Sequence, residues 1–369
     1  MTKSILAQQL CEIQQEDRIV RGVPAGKTYR PSFLFDEKAA ADYDDEAIYA
    51  VAIEGFQTLL KEDLSLREYE EKFFSQASLA VDLSLMTRSE RSALNKEVGA
   101  LLMRLSAHFM RNEAHRALEW MVRKWRVNEV FVDELLVSIL PYHDTLPFVR
   151  MVQIVFFADA SRWSFLFERV KQSGLPLSRT LLAQRCTVDS TILTQVLRGF
   201  ADIRFHMTRD PDYKFGSKYI SFVTYLLLET MSLVDRLDEQ EAIRFYQRIE
   251  VMIKSEHCPE GLVGAMIIFM SLCEKAPLSD SALEFFIRKI IKFSKPSIER
   301  NVILTVMQTV EAGFLEKIAP EMAISLCRMR PFAEIMTQES PVRFSKVLSE
   351  SLNASGEPEA AIYLKSLAP

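Results

Sequence analysis

Glycine and proline are scarce, at 11 and 14 copies in 369 residues. An ordinary soluble chain holds about 12% of the two together. A turn-dense β-sandwich or a glycine-rich nucleotide fold is hard to build with fewer; helices joined by short loops are not. Histidine is rarer, with five copies: His108, His115, His143, His206 and His257. None stands in a C-x-x-C, H-E-x-x-H or G-x-S-x-G setting, so neither a zinc site nor a serine nucleophile is announced. His257 beside Cys258 is one pair without a second. The five cysteines (Cys11, Cys186, Cys258, Cys273, Cys327) are odd in number and scattered, which points to a reducing compartment, cytosol or nucleus. Positive charge is not in excess: 45 Lys and Arg face 50 Asp and Glu, a net charge of -5. That excludes a dedicated basic nucleic-acid module. Long apolar runs are missing too. The longest, Gly261 to Cys273, is too short for a bilayer and reads as a buried helix. The N-terminus MTKSILAQQLCEIQQEDR turns polar within its first ten residues and does not read as a signal peptide. The expectation is a soluble protein with no membrane partner, no catalytic residue, no metal, no cofactor and no small-molecule substrate.

One motif invites a nucleotide reading. GVPAGKT, Gly22 to Thr28, resembles a phosphate-binding loop, but three residues rather than four separate Gly22 from Gly26. A polar segment, QQEDRIVR, precedes it where a strand is needed, and Pro31 follows where a helix should begin. A connector is the expected role, and Lys27 is not expected to meet phosphate.

Helical periodicity dominates what is present. Across 44–61, Ile48, Val51, Ala52, Phe56, Leu59 and Leu60 recur at steps of three and four, with Asp44, Asp45, Glu46 and Glu54 on the other face. Across 281–293, Leu283, Phe286, Ile287, Ile290 and Ile291 form one stripe opposite Arg288, Lys289 and Lys292. The same pattern covers about 90–110, 112–126, 128–139, 147–157, 189–205, 217–235, 239–254, 260–274, 296–310 and 341–353. In the second half the helices pair, 217–235 with 239–254, 260–274 with 279–293, and 296–310 with 319 onward. The pair starts recur near the ~40–47-residue period of HEAT and armadillo arrays. The expected fold is all-α: a HEAT/armadillo-like α-solenoid of stacked antiparallel helix pairs over 1–369, elongated because each pair buries its apolar face on the next. A compact helical bundle is the alternative.

One charged stretch stands out. Residues 104–126 hold Arg104, Arg111, Arg116, Arg123, Lys124 and Arg126 against only Glu113 and Glu119. On a helical wheel Leu118, Met121, Val122 and Trp125 share one face, and Trp120 falls opposite them near Arg116, Arg123 and Lys124. A tryptophan among cations suits an acidic partner segment, or phosphate contact with base stacking. The other reading makes Trp120 core on the second side of a helix flanked by two neighbours. Residues 36–63 are the opposite, nine acids against Lys38 and Lys61. Such polarity suits assembly with other chains.

Particular strings carry a resemblance. They are LAQQL (6–10), SFLFDEKAAADYDDEAIYAVAIEGFQTLL (32–60), FFSQ (73–76), HRALEWMVRKWRVN (115–128), ILPYHDTLPFVRMVQIV (139–155) and VKQSGLPLSRTLL (170–182). In this order the chain resembles, over about 5–185, the N-terminal region of the large HEAT-repeat proteins of the small-subunit processome; beyond 185 only the helical pattern matches. The resemblance implies an N-terminal segment of a much longer chain, with 1–205 its family-like part and 206–369 further HEAT-like pairs. It implies a nucleolar, non-enzymatic scaffold of the UTP-A (t-UTP) subcomplex in pre-ribosomal RNA processing, linked also to ribosomal RNA transcription. Its implied partners are other UTP-A subunits, including WD-repeat proteins, within the U3 particle. Direct contact with the 5′ external transcribed spacer through the 104–126 patch is the alternative.

Overall fold

A computed structural model describes residues 43–158, 161–210, 214–253 and 258–355. The Gly22–Thr28 loop, Cys11, His257 and the strings before residue 43 lie outside the described residues. No strand occurs among those described, and every helical stretch read from periodicity forms a helix. The chain divides at Arg179/Thr180 into two compact units.

The first unit begins with α1 (Asp45–Glu62), started by Asp44, whose Oδ1 accepts from the Ala47 N–H at 2.7 Å. A 3-10 turn (Leu64–Leu66) and α2 (Arg67–Phe73) follow, then further 3-10 turns to α3 (Arg88–Ser106). A reciprocal cap starts α3: the Glu90 N–H donates to Thr87 Oγ1 at 3.3 Å, and the Thr87 N–H donates to Glu90 Oε2 at 2.7 Å. Next come α4 (Asn112–Arg123), α5 (Val132–Ile139), α6 (Leu146–Ile154) and a π-helical turn (Phe167–Gln172). The short α2 and the π turn carry no periodic signal long enough to be read in the sequence.

The closest crossing in this unit is α1 against α4. A Cβ on Gly55 would lie 2.7 Å from the backbone O of Glu113 and 2.9 Å from Cβ of Arg116. Around the crossing Phe56 stacks on Phe74 with centroids 3.9 Å apart, and Phe73 meets Trp125 edge-on at 5.0 Å. The last carbonyls of α2 have no helical partner of their own. Tyr49 Oη donates to the Phe74 O at 2.6 Å, and Trp120 Nε1 to the Phe73 O at 2.8 Å.

The quoted family strings also do structural work here. Asn128 is buried, donates through Nδ2 to the Ile154 O at 2.9 Å, and accepts at its own O from the Phe156 N–H at 2.9 Å. The Leu177 N–H donates to the His143 O at 2.9 Å while His143 Nδ1 lies 2.6 Å from the Leu177 O. These ties lock LPYH to SGLPL and the end of α4 to the end of α6.

The second unit contains α7 (Arg179–Val188), α8 (Thr191–Arg209), α9 (Lys214–Ser232), α10 (Glu239–Ile253), α11 (Pro259–Lys275), α12 (Asp280–Lys292), α13 (Glu299–Glu311), α14 (Pro320–Cys327), α15 (Phe332–Glu339) and α16 (Val342–Ser355). Pro259 and Pro320 sit at the first position of their helices, where a missing N–H costs nothing. Contact runs from a helix to the next but one in six cases: α8 to α10, α9 to α11, α11 to α13, α12 to α14, α13 to α15 and α14 to α16. That two-row order defines a HEAT-like α-solenoid, with pair starts at Lys214, Pro259 and Glu299 roughly 40–45 residues apart. Within one pair, Phe269 of α11 and Phe286 of α12 stack with centroids 3.6 Å apart. Gly264 of α11 repeats the role of Gly55. A Cβ there would run into Thr224 Oγ1 of α9.

Gly55→Ala should therefore destabilise the first unit by about 1–3 kcal/mol, because the atom in the way is backbone and cannot turn aside. Gly99→Ala is the matched control. Its new Cβ would meet only the flexible Glu134 side chain, at 3.3 Å, so it should fall within about 1 kcal/mol of the parent. Urea denaturation of both variants measures this; a Gly55→Ala protein as stable as Gly99→Ala contradicts the close crossing.

A second expectation concerns Asp63, at the end of α1. Burial by itself pushes its carboxyl up. Hydrogen bonds from His108 and Ser65, and the Arg104 charge, outweigh burial and hold it at about 2 against an ordinary 3.8. The folded value is the lower one, so the stabilisation is present above about pH 4 and fades as pH falls toward 2. Asp63→Asn should cost roughly 1.5–3 kcal/mol at neutral pH. It should also flatten the stability profile across that acid window, measured by denaturation at stepped pH.

Candidate functional site

Of the four residues expected to form one exposed strip, only Arg116 keeps a freely accessible side chain, 42% exposed. Trp120 is fully buried, under Tyr49 at a centroid distance of 5.2 Å. The Arg123 side chain is 4% exposed, and its Nε donates to Glu119 Oε1 at 3.2 Å. Lys124 Nζ donates to the Leu79 O at 2.6 Å. The exposed strip does not form, and Trp120 is core on the second side of its helix, the other of the two readings the sequence left open. The wheel gives α4 one buried face, whereas α1 crosses it and the carbonyl ends of α2 reach it from a second direction.

The rest of the basic stretch is also engaged inside the unit. Arg104 is buried, with Nε 3.6 Å from Asp63 Oδ2 and donating to Ser65 Oγ. Arg111 makes a two-pronged contact with Glu62, at 2.5 and 3.0 Å. Arg116 Nη1 reaches Glu54 Oε2 at 3.3 Å, and Arg126 pairs with Glu129. Part of the contrast between acidic 36–63 and basic 104–126 is therefore met inside the unit, with Glu54 and Glu62 facing Arg116 and Arg111 across the α1–α4 contact and Asp63 facing Arg104 of α3.

A groove of about 540 Å³ does open beside the end of α4, lined by Arg91, Arg123, Lys124 and Arg126 with Asp45 and Asp82. Arg126 belongs to the basic stretch read in the sequence, whereas Arg91 lies outside it. Arg91 lies at the far end of α3, where its Nη2 donates to the Leu83 O at 3.0 Å. Arg126 is turned toward the groove by a left-handed backbone, φ 50°, in the tight exit from α4 where the Val127 N–H returns to the Met121 O at 3.3 Å. A positive φ at arginine is visible only in the folded chain.

Among the described residues no group of three His, Cys, Asp or Glu side chains could hold a metal, and no helix is long and apolar enough to cross a membrane. Cys186, Cys258, Cys273 and Cys327 are buried free thiols. Burial pushes Cys186, Cys273 and Cys327 up to about 12 and Cys258 up to about 11. Thiols so poor in thiolate are packing groups.

Replacing Trp120 tests the buried assignment. Trp120→Ala should cost about 3–5 kcal/mol, and Trp120→Phe about 1–3, since the Phe73 carbonyl loses its donor. Arg116→Glu should stay within about 1 kcal/mol of the parent, because exposed ion pairs contribute little. Melting curves of the three variants decide it; a Trp120→Ala protein that melts with the parent sinks the assignment.

No protein-family profile matches the chain. Individual relatives do. U3 small nucleolar RNA-associated protein 10 of Schizosaccharomyces pombe is 31% identical over 256 residues, 69% of this chain and 15% of the relative. HEAT repeat-containing protein 1 of Homo sapiens is 31% identical over 179 residues, 46% of this chain and 8% of the relative. An uncharacterized protein of Arabidopsis thaliana is 28% identical over 268 residues, 72% of this chain and 12% of the relative. A match of 268 residues is longer than 5–185 can hold, so the likeness extends past the quoted strings into more than the helical pattern alone. The chain spans between 8% and 15% of the length of these three relatives. With its helix order and these matches together, the chain resembles the HEAT-repeat proteins named HEAT repeat-containing protein 1 in animals and U3 small nucleolar RNA-associated protein 10 in fungi.

Proposed function

We propose that this chain is a non-enzymatic scaffold segment in ribosome biogenesis, part of the UTP-A (t-UTP) subcomplex of the small-subunit processome, and that it works in the nucleolus by docking other processome proteins. The observation that carries this reading is the 31% identity over 69% of the chain to a protein named for its association with U3 small nucleolar RNA. The two-row array of α8–α16 supports it, since stacked helix pairs offer long surfaces to partners. The high-lying thiols give no support to a cysteine-based activity. WD-repeat subunits of the subcomplex are the proposed partners.

Protein is favoured over RNA as the partner of the first unit. Arg111, Arg116, Arg123 and Arg126 already face Glu62, Glu54, Glu119 and Glu129, which leaves little charge to displace counterions from a phosphate backbone. The test is affinity purification of the tagged chain from nucleolar extract, before and after ribonuclease. Processome WD-repeat proteins should be enriched and should remain after RNA is digested. Their absence from the purified material would end the scaffold reading, and their loss on ribonuclease treatment would transfer it to pre-ribosomal RNA contact.

A further inference from the structure

The second unit holds cations that are not neutralised in the way those of the first are. A groove of about 490 Å³ runs between α8 and α10, and its walls carry Arg198, Arg244 and Arg248 with no acidic residue among its lining. Arg198 and Arg244 are exposed, and Arg248 is half-buried. Their contacts within the chain are to neutral groups. Arg198 Nη1 donates to Gln195 Oε1 at 3.2 Å, Arg248 Nη2 donates to the Ser190 O at 3.5 Å, and the Arg248 guanidinium lies over the Phe245 ring at 5.0 Å.

Two of these charges repel each other. Burial chiefly, and the nearby Arg244 charge in part, pull the Arg248 guanidinium down from its ordinary value. Glu241 lines the adjoining cleft with Arg244 and Arg248, but its Oε2 accepts from the Asp238 N–H at 3.3 Å at the start of its own helix, and an anion that bridges the arginines across the groove makes their closeness favourable. In a chain of net charge -5, three such arginines around one concavity mark a place for negative charge brought from outside.

The floor states what kind of anion. Leu197, Ala201 and Val251 line it, so the occupant must bring apolar side chains as well as carboxylates. No aromatic ring lines the groove, and base stacking, which carries single-stranded RNA binding, has no platform there. An amphipathic peptide laid along two helices, carboxylates to the arginine walls and aliphatic groups to the floor, satisfies both features.

We propose that the α8–α10 groove docks an acidic, leucine-bearing peptide segment of a partner protein. The proposal rests on the scaffold reading above and gives it one docking surface and the chemistry of what docks.

The test uses the full chain and fluorescence anisotropy with three labelled probes: a peptide of glutamate and leucine, the same peptide with glutamine for glutamate, and an oligouridine of equal length. The acidic peptide should bind, and the glutamine peptide should bind at least tenfold more weakly. The double variant Arg198→Glu/Arg244→Glu changes exposed positions and should melt with the parent, yet lose at least tenfold in affinity for the acidic peptide. Arg288→Glu is the charge control, since Arg288 is exposed on α12 and already paired with Glu284 and Glu321; it should bind as the parent does. No binding of the acidic peptide, equal binding of the glutamine peptide, or undiminished binding by the double variant overturns the proposal. Oligouridine bound more tightly than the peptide, and lost in the double variant, overturns it in favour of RNA. A chain that co-purifies with processome proteins but ignores the peptide loses this groove alone. One that binds the peptide but not the processome loses the scaffold reading alone.

Discussion

Two helix crossings too close for a Cβ atom set the geometry of this protein. At Gly55 the backbone of α4 leaves no space for a methyl group on α1, and at Gly264 the Thr224 hydroxyl of α9 does the same to α11. Such contacts bring backbones together, and the large side chains then close around them. In the first unit Phe56, Phe73, Phe74, Trp120 and Trp125 surround the crossing, every one of them buried. Dense packing of this kind tolerates little change in volume. It also dictates where the polar groups next to it can go.

The α1–α4 crossing determines the electrostatics of its unit. It lays a helix with an acidic outer face across one with a basic face, so Glu62 meets Arg111 and Glu54 meets Arg116. Just beyond the end of α1, Asp63 takes the buried Arg104. Charges that look available in a linear reading are thereby engaged at home. The exposed pairs contribute little to stability. Their larger effect is to remove cationic surface from a region that reads as a nucleic-acid patch.

The α8–α10 surface shows the opposite arrangement. Arg198 and Arg248 are held there by neutral partners, a glutamine oxygen, a backbone carbonyl and an aromatic face. The two units thus treat the same residue type in two ways. Where the acidic helix is adjacent, arginine serves the fold. Where the neighbouring lining is apolar and neutral, arginine stands at the wall of an open groove.

Periodicity alone determined the fold class. Three- and four-residue spacing of apolar side chains located α1, α3, α8–α13 and α16, because a helix that buries one stripe must repeat that stripe in sequence. The resemblance of the strings around residues 115–128 and 139–155 was legible as well, and the relatives named HEAT repeat-containing protein 1 and U3 small nucleolar RNA-associated protein 10 agree with it. Short elements were not legible: α2, the π turn and α15 span fewer than three turns each and leave no period to read. The burial of Trp120 was one of two readings that the sequence left open. A helical wheel places Arg116, Trp120, Arg123 and Lys124 on one strip, but it cannot show that the carbonyl end of α2 lies above that strip and accepts the indole N–H. Arg244 and Arg248 of α10 lie 46 and 50 residues beyond Arg198 of α8 and belong to no motif with it. Only the packing of those two helices made them neighbours, because charge complementarity between distant segments is a property of distance in space and leaves no spacing in the chain.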